Sequence, residues 1–502
     1  MNRGSVLGKA SGAVPWTLVG KAIRFAAGVA TSIIVVRHLG REDYGLLAIV
    51  RVAAAFIAVP AGVGMGQALL RFLPEVSVRE GRLVGRRLLV AGVLVQIAAW
   101  ALLTFGVFLT GRIWDEFFHA EVTGFILLAT ILLLAGSLRG FFDSALTAAY
   151  EARFLAILGT SGSVMLFGLT AYVLGAGHGI PGILIVTAVA EGAVAICGGI
   201  RAFALYSGGH ASVGASRLMG YSFPFVLLSL LNMITWKQSE TLLLGHFSSA
   251  SEAGLFDVAY KLPQQLLEFV PESIWPLIMA AMSEAYTKNR AGLANLIDVY
   301  YRILFFLVAP LSLFGFVLGD KMITILYGAE WAQAGALTQA FFIIFSISFF
   351  GTPLSMAIYV LEKSWANFLL ALLFAVVNVT LDLILIPRYG LYGAVVPVAI
   401  AIGISPFARW LTLRRFARDI TIPWGFIGKA YAVSLPLLAL YPLKRFVVDI
   451  PSLVAACVVG AALVILAIRV VGLFSIRDRE LIERSNLPMK STLLRVFAGS
   501  AA

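Results

Sequence analysis

Apolar residues run in near-continuous stretches from residue 14 to residue 473, with polar interruptions only a few residues long. Splitting these stretches at charged residues and Gly/Pro breaks predicts helices near 14–37, 44–72, 84–110, 121–146, 153–175, 180–204, 218–246, 253–283, 297–318, 332–360, 363–386, 391–416, 428–447 and 452–473. Each is long enough to cross a bilayer, whose hydrocarbon layer takes about 20 helical residues. A barrel strand needs only about 10 and alternates strictly, a pattern absent here. Hydrophobic residues make up 60% of the 502, charged ones 13%, and mean hydropathy is +0.94, a balance that water cannot solvate. The expected fold is an all-α integral membrane protein of about fourteen transmembrane helices, with no room for a soluble domain.

Charge sets the orientation. With both termini in the cytoplasm, 26 of the 38 Lys and Arg residues fall in inner segments, seven in outer segments and five inside helices. Positive residues accumulate on the cytoplasmic side, so this asymmetry predicts a multi-pass protein of the cytoplasmic membrane with both termini inside. Arg79, Arg82, Arg86 and Arg87 then read as topology anchors, and the net charge of +12 needs no nucleic-acid partner. The first apolar segment carries Lys21 and Arg24 and lacks an A-x-A cleavage site, so it reads as a retained helix. Cys197 and Cys457 lie inside predicted helices, and the five histidines form no metal or catalytic grouping. No cofactor, metal site or enzymatic chemistry is expected.

Paired markers recur along the chain at almost one offset. Tyr44-Gly45-Leu46 echoes Ala253-Gly254-Leu255, Glu75 echoes Glu284, Ala120-Glu121 echoes Ala329-Glu330, and Pro181-Gly182 echoes Tyr392-Gly393. The shared spacing predicts two copies of a six-helix unit, 1–206 and 207–418, followed by two appended helices in 419–475 and a cytoplasmic tail, 476–502. Transporters built from such repeats bind substrate between the halves.

Ionisable residues at mid-membrane are costly and are functional candidates by default. The first helix carries Lys21 and Arg24, the second Arg51, the seventh Lys237 and the eighth Lys261. On the eighth, Asp257, Lys261, Gln264, Glu268 and Glu272 advance by four, three, four and four positions, which keeps them on one polar stripe that cannot face lipid. Asp257 with Lys261, and Lys237 with Glu240, are spaced for structural pairs. Lys21, Arg24 and Arg51 have no acidic neighbour in the first two helices apart from Glu42 and Asp43 at the turn, so they point to an anionic ligand, with a diphosphate the natural fit. Glu268, Glu272 and Asp257 are candidates for a coupling proton or sodium ion, or for balancing the cations. Arg139 and Asp143 are spaced for a clasp, and Glu191 has no partner in sequence. Gly62-Val63-Gly64-Met65-Gly66 imitates a phosphate loop, but lying in a helix after Pro60 it reads as a kink with close packing.

Val36-Arg37-His38-Leu39-Gly40-Arg41-Glu42-Asp43-Tyr44-Gly45-Leu46 resembles the turn between the first two helices of polysaccharide-biosynthesis flippases in the multidrug/oligosaccharidyl-lipid/polysaccharide exporter superfamily. Tyr221-Ser222-Phe223-Pro224, Leu243-Leu244-Gly245 and Ala253-Gly254-Leu255-Phe256-Asp257-Val258-Ala259-Tyr260-Lys261-Leu262 resemble that family's seventh and eighth helices. The resemblance implies a fold like that of the multidrug exporters and lipid II flippases, alternating access, and export of undecaprenyl-diphosphate-linked oligosaccharides. Its implied partners are the bilayer and the polymerase and glycosyltransferases of polysaccharide assembly. Arg24, Arg51 and Lys261 are similar in type and helix placement to the cavity cations of lipid II flippases. Lipid II is the second-ranked substrate, followed by a cation-coupled drug antiporter, which would favour acidic cavity groups. A polymerising or ligating membrane enzyme would need larger outer loops than the segment from Arg112 to Ala120.

Overall fold

Within a bilayer no water is available to bond exposed backbone groups, so a spanning chain must satisfy them internally. The computed structural model, which describes residues 3–62, 64–80, 83–208, 215–236, 239–288 and 290–473, is helical almost throughout. Lys237 and the tail expected at 476–502 lie outside the described residues.

The helices are α1 (Arg3–Ala61), α2 (Met65–Glu80), α3 (Arg86–Leu109), α4 (Gly111–Phe118), α5 (Thr123–Ala148), α6 (Ala152–Gly175), α7 (Gly179–Leu205), α8 (Ala215–Trp236) and α9 (Ser239–Phe247). They continue as α10 (Ala250–Lys288), α11 (Arg290–Tyr327), α12 (Ala332–Ser348), α13 (Thr352–Val360), α14 (Ser364–Arg414), α15 (Trp424–Ser434), α16 (Leu440–Leu443) and α17 (Ile450–Val471). Two of these turn back on themselves. Gly40 (φ 68) divides α1 into the first crossing and part of the second, and Gly390 (φ 53) divides α14 into the eleventh and twelfth. Conversely, α2 completes the second crossing, α8 with α9 forms the seventh, α12 with α13 the tenth, and α15 with α16 the thirteenth. The described residues thus make the fourteen crossings expected from the sequence. The short α4, between the third and fourth, is an element the sequence pattern did not announce.

The glycine-rich segment after Pro60 is a kink. Gly64 (φ 63) separates α1 from α2, and the place of its missing Cβ is taken by the carbonyl oxygen of Ser222 in α8. Only glycine supplies both this backbone conformation and so close an approach. A second close approach joins two of the repeat markers: Gly45 lies against the carbonyl of Ala250, and a Cβ on Gly254 would stand 3.0 Å from the Gly45 backbone.

By internal contacts the chain divides into two compact units, one comprising Met1–Gly254 and Asp382–Ala394, the other Leu255–Leu381 and Val395–Ala502. The core of the first packs Phe72 and Leu73 of α2, Leu89 of α3, Phe141 and Phe142 of α5, and Tyr206 beyond α7. The Tyr206 hydroxyl donates to the Ala145 carbonyl at 3.0 Å, and burial pushes the phenol up to about 12, so it stays a donor at physiological pH. In the second unit Phe256, Tyr260, Phe341 and Phe345 pack edge-to-face, with Tyr260 and Phe345 centroids 4.8 Å apart. Large apolar residues such as Leu102 (72% exposed), Phe108 (65%) and Val470 (80%) point mostly away from the protein, as lipid-facing side chains require.

Gly64→Ala should lower the midpoint of thermal unfolding in detergent, because left-handed backbone costs a side-chain-bearing residue roughly 1–2 kcal/mol before any clash with Ser222 is counted. Gly168→Ala in α6, whose Cβ would meet no atom within 4 Å, should leave the midpoint unchanged or raise it. Equal midpoints for the two variants would contradict this account of the kink.

Candidate functional site

Lys21 and Arg24, three positions apart on α1, are both half-buried. The seam between α1 and α6 is made of small residues: Thr160 donates to the Gly20 carbonyl at 3.3 Å and to the Ala156 carbonyl at 2.7 Å. The Arg24 guanidinium rests on Gly159, where a Cβ would stand 2.6 Å from Nη1. Small residues at such seams let helices and long side chains approach closely.

Helix α5 brings further charges to Arg24. Arg139 and Asp143 both lie within electrostatic reach of it. Arg139 Nη1 donates to both carboxylate oxygens of Glu191 on α7, at 2.7 and 2.8 Å, while its Nε stands 3.7 Å from Asp143. The expected clasp between Arg139 and Asp143 therefore exists, but the shorter bonds go to Glu191, the residue that sequence left without a partner. Arg24, Arg139, Asp143 and Glu191 together carry two charges of each sign. Arg24 is thus not as short of counter-charge as the sequence of its own helix suggested; the carboxylate comes from a helix remote in sequence.

Arg51, in the part of α1 beyond Gly40, is half-buried between the buried residues Val50 and Val52. No carboxylate pairs with it among the described residues. In the second unit, Lys261 Nζ lies 2.7 Å from Asp257 Oδ2, with the Asp257 side chain fully buried and Lys261 32% exposed. The structure therefore adopts the i,i+4 pairing read from the sequence. Gln264 Nε2 approaches Glu268 Oε1 at 3.5 Å, continuing the polar stripe of α10. Glu272 lies on the same helix, with its side chain outside the described ones.

Two acidic residues that sequence reasoning did not assign to a site come together in the first unit. Glu240 on α9 and Asp382 on α14 are 1% and 0% exposed and lie within electrostatic reach of each other. The signal for Asp382 was present, since it is an acid inside the predicted helix 363–386. Glu240 was read as spaced for a pair with Lys237, which lies outside the described residues.

Residues 34–336 match the family model described as polysaccharide biosynthesis protein. The chain belongs to this family. It is accordingly a multi-pass membrane protein and a polysaccharide-biosynthesis flippase of the multidrug/oligosaccharidyl-lipid/polysaccharide exporter superfamily, as the motifs near Gly40 and Ala253 implied. Residues 214–475 also match the model described as lipid II flippase MurJ. Among solved structures the fold is shared with lipid II flippase MurJ in an inward closed conformation, at TM-score 0.73 and 14% identity, covering 93% of this chain and 99% of that one. It is shared with an inward-facing multidrug resistance MATE family transporter at TM-score 0.62 and 14% identity, covering 81% and 98%. A transporter of the superfamily from Pyrococcus furiosus, described by the reverse polarity of its binding pocket, aligns at TM-score 0.61 and 15% identity over 81% and 94%. No curated protein sequence matches this polysaccharide-family chain significantly.

Glu191→Gln should destabilise the protein by up to the roughly 3–5 kcal/mol of a dry ion pair, less whatever the partial exposure of the partners (24% and 21%) relieves, and adding Arg139→Gln should restore part of the loss. Unfolding midpoints of the two single variants and the double variant check this; additive losses would show that the pair does not act as a unit.

Proposed function

We propose that the chain flips an undecaprenyl-diphosphate-linked oligosaccharide from the inner to the outer leaflet of the cytoplasmic membrane by alternating access, exporting polysaccharide repeat units. In this reading both termini are cytoplasmic, and the partners are the bilayer and the enzymes that build the repeat unit inside and polymerise it outside. The six-helix repeats read from the sequence are the bodies that rock.

The observation that carries the proposal is Arg51, a half-buried guanidinium within a membrane helix with no carboxylate paired to it among the described residues. A cation so placed is costly until something neutralises it, and a diphosphate supplies both charge and paired acceptor oxygens. Arg24, held on Gly159 beside Arg139, and Lys21 on the same helix reinforce the positive character of the first unit. Lys261 contributes as an ion-paired cation, its side chain a third exposed. Lys237 is assigned to the same cationic set by sequence alone.

Coupling to an ion gradient is assigned to acidic groups. Asp257 holds Lys261, and Glu268 and Glu272 extend the stripe; the buried Glu240 and Asp382, within electrostatic reach of each other, are further acidic candidates for a proton or a sodium ion. Lipid II, rather than a polysaccharide repeat unit, is the second reading, supported by the family match over residues 214–475. Offering both lipids to the same preparation separates the two. A drug antiporter, the third reading, would confer inhibitor resistance on expressing cells.

In proteoliposomes, wild-type protein should move a lipid-diphosphate oligosaccharide between leaflets. Arg51→Ala and Arg24→Ala should each slow it about ten- to hundredfold, the worth of one charge-assisted hydrogen bond. Wild-type rates in both variants would overturn the cationic site. Gly159→Ala should slow transport while leaving the unfolding midpoint close to wild type, since the Cβ meets only the movable end of Arg24. Asp382→Asn should abolish the dependence of rate on a pH or sodium gradient; an unchanged dependence would remove the pair from coupling.

A further inference from the structure

The first unit contains a cavity of about 600 Å³, within the roughly 300–1,000 Å³ of ordinary ligand pockets. It lies at the break between α1 and α2 and is bounded by α3, α5, α7 and α8. Irregular backbone at membrane depth is tolerated where it is packed in protein or lines a polar space, and this break does both.

The walls have three properties. First, Glu191 is the only ionisable residue among the described residues lining the cavity, and both of its carboxylate oxygens are occupied by Arg139. The wall therefore offers no net charge to a ligand. Second, it is rich in neutral hydrogen-bonding groups: Gln67, Gln96, Ser137 and Thr187 all line it, and Gln96 Oε1 accepts from Ser137 Oγ at 2.6 Å, which fixes the orientation of both. Third, much of the α5 side is bare backbone. Gly136 and Gly140, four positions apart and so on one helical face, both line the cavity, and a Cβ on either would meet no atom within 4 Å. Phe141 and Phe225 add aromatic surface.

Neutral amides and hydroxyls, aromatic surface and a backbone wall suit a ligand that is uncharged and dense in hydroxyls. The cavity also has a charged neighbour. Arg139, which holds Glu191 at the cavity wall, lies within electrostatic reach of Arg24. One ion pair thus separates the neutral space from a phosphate-binding cation. We infer that this cavity is the subsite for the uncharged polyhydroxylated part of the substrate, the sugars next to the lipid diphosphate. The inference rests on the flippase reading above and assigns the selection of the glycan to helices of the first unit.

The test uses full-length protein in nanodiscs and two ligands: a prenyl diphosphate without sugar, and the same lipid diphosphate carrying a neutral oligosaccharide, with affinities from native mass spectrometry. Wild type should bind the glycosylated lipid at least about tenfold more tightly than the bare one. Gly136→Leu and Gly140→Leu, which fill the cavity from open positions, should erase that difference and leave affinity for the bare lipid unchanged. Arg24→Ala should weaken both ligands. If either glycine variant fails to fold, Gln67→Leu replaces it and should reduce the glycan advantage severalfold. Glycosylated lipid bound as tightly by folded cavity variants as by wild type overturns the inference and leaves the flippase reading standing, as does a wild type indifferent to the glycan. Loss of both ligands in folded glycine variants makes the cavity a diphosphate seat and overturns it too. A wild type that binds neither ligand removes the flippase reading itself, and the inference with it.

Discussion

The bond between Arg139 and Glu191 is the interaction on which the interior of the first unit depends. It ties α5 to α7 through two contacts of 2.7 and 2.8 Å and settles the electrostatics of everything around it. With Glu191 satisfied, the adjoining cavity has neutral walls; with Arg139 satisfied, Asp143 remains within electrostatic reach of Arg24. In a bilayer, where an unpaired charge is expensive and no water arrives to relieve it, this division of partners determines which charges are compensated within the protein.

The two units use their cations differently. In the second, Lys261 is bound one helical turn from a fully buried Asp257 and its charge is compensated within its own helix. In the first, Arg51 has no carboxylate paired to it among the described residues, and Arg24 shares its neighbourhood with another guanidinium. A chain with 38 basic and 26 acidic residues could have paired each membrane cation locally. It does so for Lys261, and among the described residues it does not for Arg51, the contrast on which the proposed anion site rests.

The fourteen crossings were legible in the sequence because the solvent is lipid: a span must be long and apolar, and such runs can be read directly. Where a crossing is assembled from pieces, the pattern was less informative. The break at Gly64 was visible as a glycine cluster, whereas α4 is too short to stand out against the apolar stretches beside it. The site was legible in part. Mid-membrane cations announce themselves by their cost, so Lys21, Arg24, Arg51 and Lys261 could be named from position alone, and the pairing of Lys261 with Asp257 followed from i,i+4 spacing. The partner of Glu191 could not be named, because it lies 52 positions away on another helix. Asp382 is recognisable by the same rule that singles out Arg51, as an ionisable residue inside an apolar membrane helix.

The bare backbone at Gly136 and Gly140 bears on how such a protein diverges. In most packed interiors a new side chain must displace an old one, so any change of ligand is tied to a change in stability. Here a Cβ added at either position meets no protein atom within 4 Å. On the proposed subsite reading, point mutations can reshape the cavity without repacking the helices, uncoupling selection on the cargo from selection on the fold, so that lineages diverge in what they carry while keeping the machine that carries it.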